Sequence, residues 1–318
     1  MADTKIIIAT PAFGEMFYTP YVQALLRLQR MADQRKWTIR HMAISYANVG
    51  EARNALLTHW FDKTDFTHLL FVDADMGFEP QLIADMLAFD KPIVGVIYAK
   101  RRVDLQKLAS LAAKGEKTER AIARAHDFII RPLQGRAPRR IKGFMEVAGC
   151  GTGIMLIKRE TIATMLKTLP GINDSKAKTA SPLAAGLDRL IRAFDNIEIA
   201  GVPLMDDFAF CHRWHVLCKG EIWARADQAV THIGLHKFGA RYTDSGTSGT
   251  RLTLTTGSPA KIAPGQSGSS VRDGKTIGGS RKVATASRRN QRQGLNEASR
   301  FQLARRQLHN WIVTEKSV

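Results

Sequence analysis

Cysteine is scarce in this 318-residue chain: it occurs only as Cys150, Cys211 and Cys218, and no two of these form a C-x-x-C pair. This scarcity argues against a secreted disulfide framework and favours a reducing, cytoplasmic environment. Long apolar runs are missing too, since none approaches the roughly 18 residues that a membrane-spanning helix needs. The N-terminal run MADTKIIIATPAF moves straight into a turn, which is typical of a first core strand rather than of a signal peptide.

The C-terminal part is poor in aromatic residues and rich in positive charge. The chain has a formal net charge of +18, and from Arg241 onward 14 Lys and Arg face 4 Asp and Glu. Residues 241–293, rich in Gly, Ser, Thr and Arg, hold too little apolar surface to offset the entropy of ordering, so we predict a disordered basic linker. Residues 294–318 recover helical spacing, with Phe301, Leu308 and Trp311 on one face, which predicts an amphipathic basic helix.

The basic tail has three interpretations. It is a solvated flexible extension, an electrostatic anchor on an anionic membrane surface, or an arm that neutralises nucleic-acid phosphates without reading their sequence. The scarcity of aromatic residues counts against recognition of single strands by base stacking. The expected location is cytoplasmic, with the inner face of the membrane as a peripheral site.

Up to residue 240 the pattern is that of an α/β domain. Apolar runs such as TKIIIATPAF and HLLFVDAD alternate with amphipathic stretches such as YTPYVQALLRLQRMADQ and GEARNALLTHWF. This β-α-β rhythm predicts a mostly parallel central sheet with helices on both faces, and ligands of such sheets bind at the carboxyl ends of the strands. Residues 100–142 interrupt the rhythm with a basic, alanine-rich stretch. We therefore expect one domain over residues 1–240 that contains a basic helical insertion.

Two carboxylates end the third predicted strand. In HLLFVDAD, Asp73 and Asp75 follow an apolar run, and burying two carboxylates so close together is costly without a nearby positive charge. A D-x-D pair arises by chance about once in a chain of this length, and aspartate is common in strand-end turns. The position at the predicted ligand edge favours a divalent cation instead, because hard oxygen ligands suit Mg²⁺ or Mn²⁺, which also bind phosphate oxygens.

Two later motifs offer further candidate groups. In PLMDDFAFCHRW, Asp206 and Asp207 fall where a strand gives way to a helix, so an N-cap role for Asp206 is the simplest interpretation of that pair alone. In THIG, His232 ends a late strand, and Gly234 lets the backbone pass close to another group. A histidine together with carboxylates and water is a common ligand set for Mn²⁺.

The order of these motifs, D-x-D, acidic pair and H-x-G, resembles the GT-A superfamily of nucleotide-sugar glycosyltransferases, family 2-like. The segments ATPAF, GEARNALL and VAGCGTGIMLIKRE are also similar to landmarks of that family, and the resemblance covers about residues 5–240. It implies a GT-A, nucleotide-diphospho-sugar transferase-like fold. It also implies a metal-dependent hexosyl or related transfer from a nucleoside-diphosphate donor to a hydroxyl acceptor, such as a glycan or a lipid-linked saccharide.

The resemblance further implies a role for each matching residue. Asp75 and His232 resemble the metal ligands, and Asp73 resembles a further ligand or the group that contacts the donor ribose. Asp207 resembles the general base of inverting members, with Asp206 in place of the family's usual glutamate, so both acids are candidate catalytic residues. The residues placed like the family's donor contacts are Thr10, Pro11, Ala12 and Arg53, the last on the diphosphate or base side.

Two other classes of function stay open on the sequence. A nucleotidyltransferase would use the same sheet and metal, but it normally carries a glycine-rich basic loop after the first strand, where TPAFGEMFYTP has one glycine and no basic residue. A nucleic-acid-associated protein, or a glycosyltransferase that modifies DNA, would bind through the basic insertion and tail. The donor sugar, its base and the acceptor also stay open, while Asp207 favours inversion.

Overall fold

Eight strands form the central sheet in the computed structural model of the chain, which describes residues 4–235. The predicted linker over 241–293 and the predicted helix over 294–318 lie outside the described residues. The helices are α1 (Thr19–Arg35), α2 (Val49–Lys63), α3 (Gln81–Phe89), α4 (Leu105–Ala113), α5 (Thr118–Ala125), α6 (Arg159–Thr168), α7 (Ala177–Ala180) and α8 (Asp206–His212). Short 3-10 turns cover Phe13–Glu15, Pro170–Ile172 and Pro182–Ala184, and a π-helical turn, Arg213–Leu217, continues α8.

The strands are β1 (Lys5–Pro11), β2 (Thr38–Ile44), β3 (His68–Val72), β4 (Met76–Gly77), β5 (Ile93–Val96), β6 (Ala99–Val103), β7 (His126–Phe128), β8 (Ile130–Arg131), β9 (Arg140–Ile141), β10 (Phe144–Val147), β11 (Gly149–Cys150), β12 (Ile154–Lys158), β13 (Asn173–Asp174), β14 (Leu190–Ile191), β15 (Ile197–Ile199), β16 (Val202–Leu204), β17 (Ile222–Arg225) and β18 (Thr231–His232).

The order of strands across the central sheet is β2-β1-β3-β12-β5-β17-β10-β9. Strands β2, β1 and β3 pair in parallel, as do β5 and β17, whereas β12 lies antiparallel between β3 and β5. Strand β10 is antiparallel to both β17 and β9, so six of the eight strands run in one direction. The expected mostly parallel sheet is confirmed, and it agrees with the GT-A-like architecture that the sequence resemblance implies.

Successive side chains along each strand point to opposite faces of the sheet, and both faces are apolar. In β1, Ile7 and Ala9 join one buried cluster, while Ile6 and Ile8 join the cluster on the opposite face. Helix α2 packs on the first face through Trp60 and its neighbours, and α1 and α3 pack on the second. The helices therefore cover both faces as predicted, and this double burial explains why the strand sequences are continuous apolar runs.

Helix α2 is buried on nearly all sides, unlike an ordinary surface helix. Its buried residues include Ala52, Leu56 and Trp60, as the sequence predicts, but Ala55 packs into a separate small cluster built around residues 177–190. The helix begins after Asn48, whose side chain accepts a hydrogen bond from the Glu51 N–H at 3.2 Å. This packing holds the first turns of α2 firmly against the carboxyl edge of the sheet.

Helices α4 and α5 lie within residues 100–142. Helices α4 and α5 are mostly exposed, and their buried side chains are Leu111, Ala121 and Ala125. Strand β6 leads into the insertion and pairs with β7, while β8 pairs with β11 in the main domain. The two ends of this segment meet, since the N–H of Ile129 donates to the carbonyl of Tyr98 at 2.9 Å. Within residues 4–235, no helix combines the length and the apolar character needed to cross a bilayer.

Candidate active site

The first carboxylate of the D-x-D motif is neutralised by a buried arginine. Asp73 follows β3 directly, and its backbone N–H donates to the carbonyl of Gly153 at 3.0 Å. Both of its carboxylate oxygens accept hydrogen bonds from Nη2 of Arg53, at 2.9 and 3.0 Å. Arg53 lies on the second turn of α2, and only 6% of its side chain is exposed. Helix α2 thus supplies part of the positive charge that the paired carboxylates require.

The same guanidinium joins Asp73 to the acidic pair at the start of α8. Nη1 of Arg53 donates to the Asp206 carboxylate, so one cation bridges the end of β3 and the start of α8. Burial alone lowers the pKa of Arg53, but the charges of Asp73 and Asp206 raise it above its usual value. The structure therefore places Arg53 between two carboxylates, whereas the sequence resemblance places it at the donor diphosphate or base.

The first residue of the acidic pair does not cap its helix. Met205 is the N-cap residue of α8 and makes no side-chain capping hydrogen bond, while the Asp206 carboxylate turns to Arg53. The simplest sequence interpretation, an N-cap role for Asp206, is wrong because the ion pair with a buried arginine takes that carboxylate instead.

Asp207 lacks an ion pair of its own in the described part of the chain. Its Oδ1 accepts a hydrogen bond from the backbone N–H of Phe208 at 2.8 Å. Burial raises the pKa of Asp207 to about 6, helped by the charge of Asp206 and opposed by the charge of Arg53. A carboxylate with this pKa is ionised at neutral pH and is more basic than an ordinary aspartate, which suits a general base.

The second carboxylate of the D-x-D motif meets the late histidine. Strand β4 follows Asp75 and pairs antiparallel with β18, with His232 opposite Met76. The N–H of Ile233 also donates to the Asp75 carbonyl at 3.0 Å. This short ladder brings Nε2 of His232 to 3.6 Å from Oδ2 of Asp75. The two side chains that the sequence predicts as metal ligands therefore lie side by side.

The chemistry of this pair fits a divalent cation. Nδ1 of His232 lies 2.8 Å from the carbonyl oxygen of Ala99, which can only accept, so Nδ1 carries the proton and Nε2 faces Asp75. Such a carbonyl commonly orients a metal-binding imidazole. Burial lowers the pKa of His232, but its bonds to Asp75 and Ala99 raise it above the usual value, so a proton competes with a metal ion for Nε2.

The described residues would supply few ligands to such a cation. Residues 4–235 contain no group of three or more His, Cys, Asp or Glu side chains placed to hold a metal ion. Two protein ligands with the rest from water and phosphate is a usual arrangement for Mg²⁺. Asp73, which the sequence also suggests as a ligand, has both oxygens bound to Arg53. The pair that fits a cation is therefore Asp75 with His232.

An arginine of the run YAKRRVD, which follows β5, binds the same carboxylate. Nη1 of Arg101, on β6, donates to Oδ2 of Asp75 at 2.9 Å. The Arg101 side chain is 55% exposed, and the Asp75 side chain is 16% exposed. The basic insertion thus begins inside the candidate site.

The predicted donor contacts at the end of β1 differ in accessibility. Thr10 and Ala12 are buried, and the Thr10 hydroxyl lies 2.6 Å from the hydroxyl of Tyr21. Pro11 is partly exposed, and Phe13 in the following turn is 67% exposed. A ligand at this edge can therefore reach Pro11, whereas Thr10 and Ala12, at 0% and 2% exposure, are closed to it in this structure.

Tyr98 fills the space beside Gly151 and Gly153. The sequence suggests that these glycines let a sugar or acceptor approach the backbone, but a Cβ on either would lie 2.3 or 2.6 Å from the Tyr98 hydroxyl oxygen. That hydroxyl accepts a hydrogen bond from the Gly153 N–H at 2.9 Å. The tyrosine ring packs edge-on against the His232 ring, with 5.1 Å between the ring centroids. A buried tyrosine from the segment after β5 therefore occupies the space beside both glycines.

Sequence reasoning missed three features of the site: the binding of Arg101 to Asp75, the bridging position of Arg53 and the packing of Tyr98. Arg101 lies in the run YAKRRVD next to Arg102, and the local sequence does not show which of the two arginines contacts Asp75. Arg53 was found as a candidate, but its partners lie far away in the chain. The packing of Tyr98 has one signal in the sequence: Gly151 and Gly153 stand close together without a turn that requires them, which indicates that a bulky group lies against the backbone there.

No protein-family model matches the chain, and no curated protein matches it either. Among solved structures, a protein from STIV is 16% identical over 75% of this chain and 98% of its own, with a TM-score of 0.37. TarS 1–349 from S. aureus, in complex with UDP-GlcNAc, is 12% identical over 74% of this chain and 60% of its own, with a TM-score of 0.34.

The catalytic domain of Drosophila β1,4-galactosyltransferase 7, in complex with xylobiose, is 11% identical over 51% of each chain, with a TM-score of 0.27. These similarities are remote, so the side chains of the site must carry any conclusion about function.

Proposed function

We propose that the chain is a metal-dependent, inverting glycosyltransferase that moves a sugar from a nucleoside-diphosphate donor to a hydroxyl acceptor. One observation carries the proposal: the D-x-D motif joins a pair of side chains suited to a cation to a half-buried candidate base at one edge of the sheet. Asp75 lies beside His232, and Asp73 is tied through Arg53 to the helix start that holds Asp207.

Asp75 and His232 define the donor end of the proposed site. These two side chains would hold Mn²⁺ or Mg²⁺, and the bound ion would stabilise the negative charge of the leaving diphosphate as a Lewis acid. His232 is held in place by its bond to Ala99, and Asp75 by the β4–β18 pairing, so neither ligand needs to be reordered when a donor binds. We propose that the nucleoside binds at the partly exposed edge of the sheet at Pro11.

The acceptor end follows from Asp207. Its carboxylate would take the proton of the acceptor hydroxyl as the acceptor oxygen bonds to the anomeric carbon. The bond from that carbon to the diphosphate oxygen breaks, and the nucleoside diphosphate leaves with the bonding electrons. General-base help of this kind typically contributes about 10²- to 10⁴-fold to the rate. Asp206 is left to position the helix start, because its carboxylate is bound to Arg53.

A screen of nucleotide sugars tests this function. Purified full-length chain would be mixed with each donor and Mn²⁺, and release of nucleoside diphosphate would be measured with and without EDTA. The expected result is hydrolysis or transfer with at least one donor, abolished by EDTA and by Asp75→Ala. Asp127→Asn is a matched control, because Asp127 is a surface carboxylate that also pairs with an arginine.

Two results would contradict the function. Either no donor binds to the wild-type chain, or Asp75→Ala turns over as fast as Asp127→Asn.

An anionic polymer, such as DNA, is a second candidate for the acceptor. Residues 100–142 hold 13 Lys and Arg against 4 Asp and Glu. The guanidinium of Arg131, at the end of the insertion, lies 5.2 Å from the ring centroid of Phe208, next to Asp207. Positive charge therefore reaches the acceptor end of the site. Retention on DNA that falls steeply with added salt would support this acceptor, and transfer to neutral glycans alone would contradict it.

A further inference from the structure

Arg101 is bound to the carboxylate that the proposed cation needs. Its Nη1 donates to Oδ2 of Asp75 at 2.9 Å, and Nε2 of His232 lies 3.6 Å from the same oxygen. The two side chains differ in exposure, since more than half of the Arg101 side chain faces solvent and most of the Asp75 side chain does not. Arg101 therefore lies on the open side of the site, where a ligand enters.

The stem of Arg101 is positioned by packing as well as by charge. A Cβ on Gly234 would lie 2.8, 3.0 and 3.1 Å from Cβ, Cδ and Cγ of Arg101. The glycine of the THIG motif thus leaves room for this arginine, two residues after His232. The backbone that carries the histidine and the stem of the arginine are packed together, so the guanidinium stays near the site even when its ion pair opens.

A divalent cation and a guanidinium cannot both occupy the same side of one carboxylate oxygen. When a cation binds Oδ2 of Asp75, the guanidinium loses that acceptor and is repelled by the new charge. Because its stem stays packed against Gly234, its head can move only a short distance within the open mouth of the site. The acceptors that arrive there with the cation are the phosphate oxygens of the donor, and a guanidinium binds phosphate through two parallel hydrogen bonds.

We propose that Arg101 is a diphosphate-binding residue, which rests on Asp75 when the site is empty and moves to the phosphate oxygens of a nucleoside diphosphate when one binds. This inference rests on the proposed glycosyl transfer and adds a second positive group for the leaving diphosphate. It predicts that Arg101 opposes the binding of a metal ion alone and favours the binding of the metal–nucleotide complex.

Arg102 provides a matched control from the same strand. It is adjacent to Arg101 in sequence, at a point where the β6–β7 pairing is irregular. It pairs with Asp127 on the surface, and 70% of its side chain is exposed. Replacement of either arginine removes one positive charge from an exposed position, but only Arg101 contacts Asp75.

Calorimetric titrations of the full chain test the inference. The probes are Mn²⁺ alone and, in the presence of Mn²⁺, whichever of UDP, GDP, CDP, ADP and dTDP the wild-type chain binds best. Arg101→Gln should weaken nucleotide binding by about 10- to 100-fold, the usual effect of losing charged hydrogen bonds. It should bind Mn²⁺ alone as tightly as the wild type or more tightly, because a competing cation is gone. Arg101→Lys should lose less nucleotide affinity than Arg101→Gln, because lysine keeps the positive charge although it cannot form the two parallel hydrogen bonds of a guanidinium.

The two binding measurements separate this role from a structural one. If Arg101→Gln and Arg102→Gln bind the nucleotide equally well, Arg101 does not contact the diphosphate. If Arg101→Gln loses affinity for Mn²⁺ and for the nucleotide together, the arginine only holds the site in shape, and the inference is wrong. A wild-type chain that binds none of the five nucleotides would instead overturn the proposed function, and the inference with it.

Discussion

At the scale of single residues, the site is shaped by how its carboxylates share two arginines. Arg53 neutralises Asp73 and Asp206, and Arg101 is bound to Asp75, so among residues 4–235 no cation forms an ion pair with Asp207. The surroundings of Asp207 raise its proton affinity, and its pKa of about 6 follows from burial and from the charge of Asp206. Two predictions rest on this residue.

The first prediction concerns stability. The folded pKa of Asp207, about 6, lies above its ordinary value of 3.8, so its contribution to stability is complete below pH 3.8 and is lost as pH rises through 6. Asp207→Asn should therefore raise the free energy of unfolding at pH 7.5 by on the order of 1–3 kcal/mol, and leave it nearly unchanged at pH 4. Urea unfolding at both pH values measures the difference. Equal effects at both pH values would contradict the buried-carboxylate account.

The second prediction concerns the pH dependence of catalysis. The ionised form of Asp207 is the base, so kcat/KM should rise about tenfold per pH unit below pH 6 and level off above it. The titratable and charged groups that act on Asp207 or are influenced by it are Asp206, Arg53, Asp73, Tyr98 and Cys150. Initial rates from pH 5 to 8 on the donor found by screening test this, with Asp207→Asn as the control that lacks the rise. A wild-type profile that is flat across this range would contradict the assignment.

At the scale of secondary-structure elements, the decisive contact is the two-residue ladder between β4 and β18. It carries His232 to Asp75, and it leaves little free space, since a Cβ on Gly77 would lie 2.9 Å from Cβ of Pro20 and 3.3 Å from Cβ of Thr231. The position of the cation pair therefore depends on a glycine outside the pair.

The third prediction tests that ladder. Gly77→Ala should push β18 away and weaken Mn²⁺ binding by about 3- to 10-fold, with a loss of stability of about 1–3 kcal/mol from overpacking. Gly171→Ala is the matched control, because nothing lies within 4 Å of a Cβ built there. Calorimetry with Mn²⁺ compares the two variants. Equal affinities would show that the ladder does not position His232.

The fourth prediction concerns Tyr98, which joins the end of β5 to the start of β12. Its hydroxyl is the acceptor for the buried N–H of Gly153. Tyr98→Phe leaves that N–H without a partner, so the free energy of unfolding should fall by about 1–3 kcal/mol. Chemical denaturation measures this loss. An unchanged midpoint would mean that the hydrogen bond is replaced or contributes little.

The fold and the site differ in how far the sequence reveals them. The strands β1, β3 and β5 and their helices are predictable because each is a long apolar or amphipathic run with clear periodicity. The antiparallel insertion of β12 between β3 and β5 is not, because strand order depends on contacts between distant segments. At the site, motif order predicts the meeting of Asp75 and His232. The sequence does not tell which of Arg101 and Arg102 contacts Asp75, because the β6–β7 pairing is irregular there and the partners lie far away in the chain.

At the scale of the whole molecule, the positive charge has two locations. The tail from Arg241 onward has a net charge of +10, and residues 100–142 add +9 next to the site. The insertion begins at Asp75 through Arg101 and returns beside Asp207 through Arg131, so its charge borders both ends of the proposed reaction. The cytoplasmic location and the binding of the tail to a membrane or to nucleic acid stay predictions.

The most direct test of the account is the affinity for Mn²⁺ in a double-mutant cycle of Asp75→Asn and His232→Gln, measured by calorimetry on the full chain. If both side chains hold one ion, each single change should weaken binding at least about tenfold, and the double variant should lose less than the product of the two. Single variants that bind Mn²⁺ as tightly as the wild type would show that residues 75 and 232, although adjacent, share no cation.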